Sequence, residues 1–300
     1  MPVPTVPLPQ ASVGEWTAIR TSTAAGLFAY RHLQAVDLLE LPDFGGGDLN
    51  TEQRREALQN AVNLHKPLAA LGIFLGVIGL EDFVRDIGAR IADSPCIQLR
   101  FAEVSGLRSL PVRRRADRQF KRLDRDPADL IDPEDINELF KRCLGVEPLA
   151  MSEFARLRDL ALLRHTVAHH AAVIRPIDVP RFQYYIVQSG QTINPPQEFV
   201  RETLAYLYRT GRTIEEALKS CVFSVVLPTL GAEWWETRPE ELLELIELFD
   251  YFGNLVEARG PVGYAQPGTQ EYERMKSESL RVRDELVQRC INELRAKYAT

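Results

Sequence analysis

The stretch "LLRHTVAHHA", residues 162 to 171, holds three of the chain's five histidines within six positions, with an arginine directly before the first. His165 and His169 are four apart, so on a helix they share one face, the spacing that two zinc ligands use. A zinc hydrolase of that pattern needs a glutamate directly after the first histidine to activate water. Thr166 stands there instead, and no third ligand is evident downstream. No metal and no cofactor are expected.

Arg164 is the unusual residue. At about 100° per residue it falls on the helix face of Leu157, Leu160, Val167, Ala168 and Ala171. A guanidinium in apolar company costs several kcal/mol unless an anion or a dense set of acceptors meets it. One reading is structural: an ion pair with Glu81, Asp82 or Asp86, which lie together on an earlier apolar helix. The other is functional, with Arg164 gripping a bound phosphate.

Arg164 and His169 form an arginine, a polar residue, three further residues and a histidine. On "RHTVAH", 164 to 169, the chain resembles the HEPN superfamily, whose ribonuclease members carry an RxxxxH motif with Asn, His or Asp after the arginine. His165 fills that polar slot, and His170 has no counterpart in the motif. The resemblance covers residues 20 to 176 loosely and 155 to 175 more specifically; nothing beyond 176 is covered. It implies an all-α bundle and a metal-independent endoribonuclease similar to toxin or antiviral-defence effectors. Arg164 would bind the scissile phosphate, His169 would be the acid or base, and His165 would orient His169 or contact RNA. It also implies a homodimer with two motifs facing across a two-fold axis, and leaves room for an antitoxin or other regulatory protein. The alternative within the family is a nuclease-inactive module that binds RNA or protein.

The chemistry stands apart from the family name. RNA is cut without a metal when a base takes the 2′-hydroxyl proton, the oxygen attacks phosphorus and an acid protonates the leaving 5′-oxygen. Histidine suits both proton transfers because its ordinary pKa lies near neutrality. Arginine suits the charged phosphate oxygens, which it meets with forked, charge-assisted hydrogen bonds. On one ideal helix Arg164 and His169 point roughly 140° apart, a poor geometry for one phosphate that a second copy of the chain would solve. A substrate-binding stretch is expected at "RRRADRQFKRLDR", 113 to 125, with seven Lys or Arg in thirteen positions. There Arg113, Arg114, Arg115, Arg118, Lys121 and Arg122 would track an RNA backbone and Phe120 would stack a base. A solvated face with Asp117 and Asp124 as local partners is the competing account.

The surrounding chain must position these groups. Its 300 residues, 45% hydrophobic and 26% charged, suffice for one large or two ordinary domains. A net charge of −6 excludes an overall basic surface but not a local nucleic-acid site. Cys96, Cys143, Cys221 and Cys290 lie far apart, which disfavours a zinc ribbon or a disulfide framework. "MPVPTVPLPQ" reads as an extended arm and not as a signal peptide. "LAALGIFLGVIGL", 68 to 80, is too short to cross a bilayer, so a cytoplasmic protein without membrane contact is expected.

Helical periodicity runs through most of the chain, and all-α is the expected class. The expected organisation is an arm at 1–14, a helical bundle at 15–176 with an irregular insertion at about 93–132, and a helical region at 177–300. Within the bundle, helices are expected from Trp16 to Leu41, up to "FGGGD", and from Thr51, with Pro67 dividing the latter from an apolar helix at 68–92. Gly72, Gly76 and Gly79 would admit a close helix neighbour. Asp132, Ser152, Thr213 and Thr237 are expected N-caps, with Pro133 opening the first of these helices and Gly145 stopping it. "FQYYIVQ" and "VFSVVLP" are strand-prone, with buried helix or loop as alternatives. "PEELLELIELFDYF" is an acidic amphipathic helix. A final helix over 270–297 aligns Leu280, Val287, Ile291 and Leu294, a stripe suited to pairing with another helix.

Overall fold

A computed structural model describes residues 51–100, 114, 118, 132–252 and 269–298. The expected N-terminal arm and the helix from Trp16 to Leu41 lie outside the described residues. Helix accounts for 78% of the described residues, and β pairing among them is confined to one bridge between Val173 and Thr192. The class is all-α.

Helix α1, Thr51–Asp93, is continuous through Pro67, where the sequence predicts a division. A proline inside a helix removes one hydrogen bond without obliging the turns on either side to part. Beyond it, Ile73, Val77, Leu80, Val84, Ile87 and Ile91 recur at helical spacing and are all fully buried. Helix α2, Pro95–Arg100, follows at once and replaces the irregular start expected of the insertion. The Ser94 carbonyl accepts from the backbone N–H of Ile97 and of Gln98 at 3.1 and 3.0 Å, while Gln98 Nε2 donates to the Ala92 carbonyl. The end of α1 is thereby satisfied without an irregular loop.

Helix α3, Pro133–Leu144, starts and stops as its sequence predicts. Asp132 Oδ1 accepts from the Glu134 N–H at 2.9 Å, and Gly145 closes the helix at φ 75°, a left-handed conformation that glycine takes without penalty. Helix α4, Phe154–His169, carries the motif. Ser152 does not cap it: the residue is exposed and sits within a 3₁₀ turn, Met151–Glu153, that runs directly into α4.

Helix α5, Gln197–Cys221, runs unbroken through Thr213, where a helix is expected to start. Thr213 is not a cap, since its hydroxyl donates back to the Arg209 carbonyl at 3.0 Å. A π-helical turn, Val222–Val226, leads into the short α6, Leu227–Leu230, so "VFSVVLP" is helical and not a strand. Helix α7, Ala232–Thr237, ends where Thr237 Oγ1 donates to the Glu233 carbonyl at 2.6 Å. Thr237 therefore closes α7 and does not cap α8, Pro239–Leu248, which keeps its proline in the first turn. Helix α9, Gln270–Tyr298, lies against α7 and α8 through Val287, Ile291 and Leu294, whereas Leu280, expected on the same stripe, is half exposed.

The central seam is α1 against α5 and α4. Gly76 makes it close: a Cβ there would come within 2.5 Å of Leu204 Cδ2 and 3.1 Å of Leu207 Cδ1. One hydrophobic cluster extends from Ile73 of α1 through Leu157 and Leu160 of α4 to Leu294 of α9. At about 1.5–3 kcal/mol for each large apolar side chain removed from water, this seam fixes where α4 lies and so where the motif ends. No helix among the described residues is long and apolar enough to cross a membrane.

Candidate functional site at the end of the motif helix

Helix α4 is anchored by buried charges and by apolar packing. Asp159 is fully buried and accepts backbone N–H groups from Gln183, Tyr184 and Tyr185, the shortest at 2.7 Å. "FQYYIVQ" is thus a loop strapped to α4 and not a strand. Five residues on, Arg164 donates to Glu81 of α1. Their side chains are only 16% and 10% exposed, so the pair lies in the seam. Burial lifts the Glu81 carboxyl above its ordinary value, and the Arg164 guanidinium acts against that lift. Asp82 and Asp86 pair with Arg85 and Arg90 along α1.

The helix ends in imidazoles. The His165 ring lies 4.8 Å from His169 and 5.1 Å from His170, centroid to centroid, and His169 and His170 are 6.4 Å apart. His169 is the last helical residue and is exposed; His165 and His170 are partly covered. Desolvation holds the His165 pKa below its ordinary value, and the charges of His169, His170, Arg164 and Arg175 push the same way. His165 is therefore a neutral imidazole at pH 7, free to accept a hydrogen bond or a proton. No group of three His, Cys, Asp or Glu among the described residues is placed to hold a metal ion.

Directly after the motif the backbone is strained. Ala171 and Ala172 take φ of 49° and 60°, costing of order 1–3 kcal/mol each for residues with a Cβ. Hydrogen bonds hold them there: Ala172 N–H donates to the Thr166 carbonyl at 3.2 Å, and Ile193 N–H donates to the Ala172 carbonyl at 2.7 Å. Ile174 and Gln191 add a further bond at 2.9 Å. The segment 188–193 is therefore fastened beside the histidines.

Two further charged residues here lie outside the motif. Asp159 is a charge on the buried face of α4, and the reasoning that singles out Arg164 applies to it equally. Asp178, buried, receives Arg175 at 2.7 Å and Arg181 at 3.3 Å, and both guanidinium groups stay largely in solvent. They hold the Asp178 carboxyl below its ordinary value, Arg175 most strongly. Of the basic stretch, Arg114 and Arg118 are helical and exposed, while Arg113, Arg115, Lys121 and Arg122 lie outside the described residues.

No family model matches the chain, and neither a curated protein nor a solved structure does.

Proposed function

We propose that the chain is a metal-independent endoribonuclease of HEPN type, a toxin or antiviral-defence effector that works as a homodimer. One observation carries this reading: three imidazoles, the first directly after an arginine whose guanidinium is held by Glu81, meet at an exposed helix end. Glu81 fixes the orientation of Arg164, which stabilises charge on the non-bridging phosphate oxygens. His169 transfers protons. The reaction needs one base for the 2′-hydroxyl and one acid for the 5′-oxygen, and two copies of His169 across a two-fold axis supply both. The 2′-oxygen to phosphorus bond forms, the phosphorus to 5′-oxygen bond breaks, and a 2′,3′-cyclic phosphate and a 5′-hydroxyl result.

The experiment is cleavage of single-stranded RNA in EDTA with analysis of the ends. Cyclic phosphate ends, lost in His169→Ala, support the reading; metal-dependent cutting, or cutting of DNA, contradicts it.

The same ion pair favours a second reading, in which Arg164 serves the fold alone and the helix end binds RNA or protein without cutting. A folded protein that binds RNA and leaves it intact over long incubation, with wild-type histidines present, would select this alternative.

A further inference from the structure

Beside the motif helix lies a cleft of about 260 Å³. Its floor is Leu163 of α4 and Ile174, its walls carry Tyr185 and Phe199, and Gln191 and Asn194 sit among its polar lining. Tyr185 and Phe199 meet edge to face at 5.5 Å and give the cleft an aromatic wall. Ile186, also in the lining, is 99% exposed, an apolar side chain wholly in water.

The geometry points to this cleft as the seat of one unpaired RNA base next to the cleaved phosphodiester. The inference rests on the reading of the helix end as an RNA site and adds to it the recognition of a base. Size limits the occupant first. Ligand pockets run from about 300 Å³ upward, so this one takes a single planar ring system and not a dinucleotide. Chemistry limits it next: aromatic and aliphatic walls accept a π-face, and carboxamides offer both a donor and an acceptor to a base edge. A base within a duplex hides its faces, so the strand must be single.

Position supplies the connection to the motif. Ile174 in the floor bonds to Gln191 across the same antiparallel contact that holds Ala172, two residues beyond His170. Arg175, next in the chain after Ile174 of the floor, is exposed and held by buried Asp178, a fixed cation that suits the linking phosphate. The Asp159 strap keeps Tyr184 and Tyr185 in place before any ligand arrives, so little ordering entropy is lost on binding.

The test measures binding without cleavage. A 2′-O-methyl RNA strand, whose blocked 2′-oxygen cannot attack, is compared with the same strand carrying abasic residues, on the full chain, by fluorescence anisotropy. The wild type should favour the strand with bases about ten-fold or more, as stacking on an aromatic wall provides. Asn194→Leu, which fills the mouth from an exposed position without adding a ring face, should abolish that preference and leave binding of the abasic strand unchanged. If Asn194→Leu does not melt like the wild type, Phe199→Leu replaces it, removing one ring face while keeping the volume apolar. Equal binding of the two strands by the wild type, binding of neither, or a preference that survives in a folded variant overturns the inference. A protein that shows the preference yet never cuts RNA retains the base site and loses the ribonuclease reading; one that cuts RNA without the preference does the reverse.

Discussion

Arg164 of α4 and Glu81 of α1 are ion-paired across the central seam, 83 positions apart in the chain and largely out of solvent. The pair joins the motif to the scaffold. Any substitution of Arg164 therefore changes folding along with the chemistry proposed for it, and the two have to be separated by measurement.

Arg164→Ala leaves a carboxylate in the seam without this partner, which costs about 3–5 kcal/mol when a buried pair is broken on one side. Arg164→Met with Glu81→Gln removes both charges and should recover most of that loss. Urea midpoints of the two variants check this; equal destabilisation would show that the pair contributes little to the fold. The double variant is then the proper background for testing catalysis, because it lacks the guanidinium and keeps the seam.

Glu215 gives a stability change near neutral pH. It is buried on α5, and desolvation pushes its carboxyl up from 4.5 to about 7 against the pull of Arg212, with Glu216 and Asp250 raising it and Lys219 lowering it. Because the folded value lies above the unfolded one, the stabilisation by the neutral form is complete below pH 4.5. It is lost as pH rises through about 7, amounting to roughly 3 kcal/mol at about 1.4 kcal/mol per pH unit. Glu215→Gln should match the wild type near pH 4.5 and be the more stable protein at pH 8. Denaturant melts across that range should show the divergence, and parallel curves would contradict it.

His165 titrates in the opposite sense. Its pKa is lowered, so its contribution to folding is present above pH 6.5 and is lost as pH falls through the folded value. Burial is the largest cause and the neighbouring imidazoles come next. His169→Gln with His170→Gln should raise the midpoint without bringing it back to 6.5. Proton NMR of the ring Cε1–H follows this directly; a midpoint at or above 6.5 in the wild type would rule out the desolvated imidazole.

How much of this was legible in the sequence depended on how local the determining interaction is. Asp132 and Gly145 bound α3 because side chain and backbone two to four residues away decide both ends. Thr213 and Thr237 misled because a hydroxyl serves a cap or an i−4 carbonyl equally well, and buried Thr210, Ile214 and Leu218 carry α5 through the first of them. Arg164 stood out as a charge on an apolar face. Asp159 obeyed the same rule, but its partners lie 24 to 26 residues on in a loop without periodicity. The cleft was beyond reading for that reason: its walls come from 174–199, where hydrogen bonds and not a repeat set the shape.

His169 provides the sharpest separation of function from fold. It is exposed at the end of α4, and the nearest described rings are His165 at 4.8 Å and His170 at 6.4 Å. Truncating an exposed side chain away from the core changes stability by no more than about 0.5 kcal/mol, so His169→Ala should melt like the wild type. Removing a general acid or base costs roughly 100- to 10,000-fold in rate. RNA cleavage by His169→Ala should fall by that factor, and growth inhibition on expression in cells should disappear with it. Arg164 cannot give so clean an answer, because its loss unsettles the seam. A His169→Ala protein that is folded and still cuts RNA at the wild-type rate would leave the cluster of imidazoles without a catalytic part.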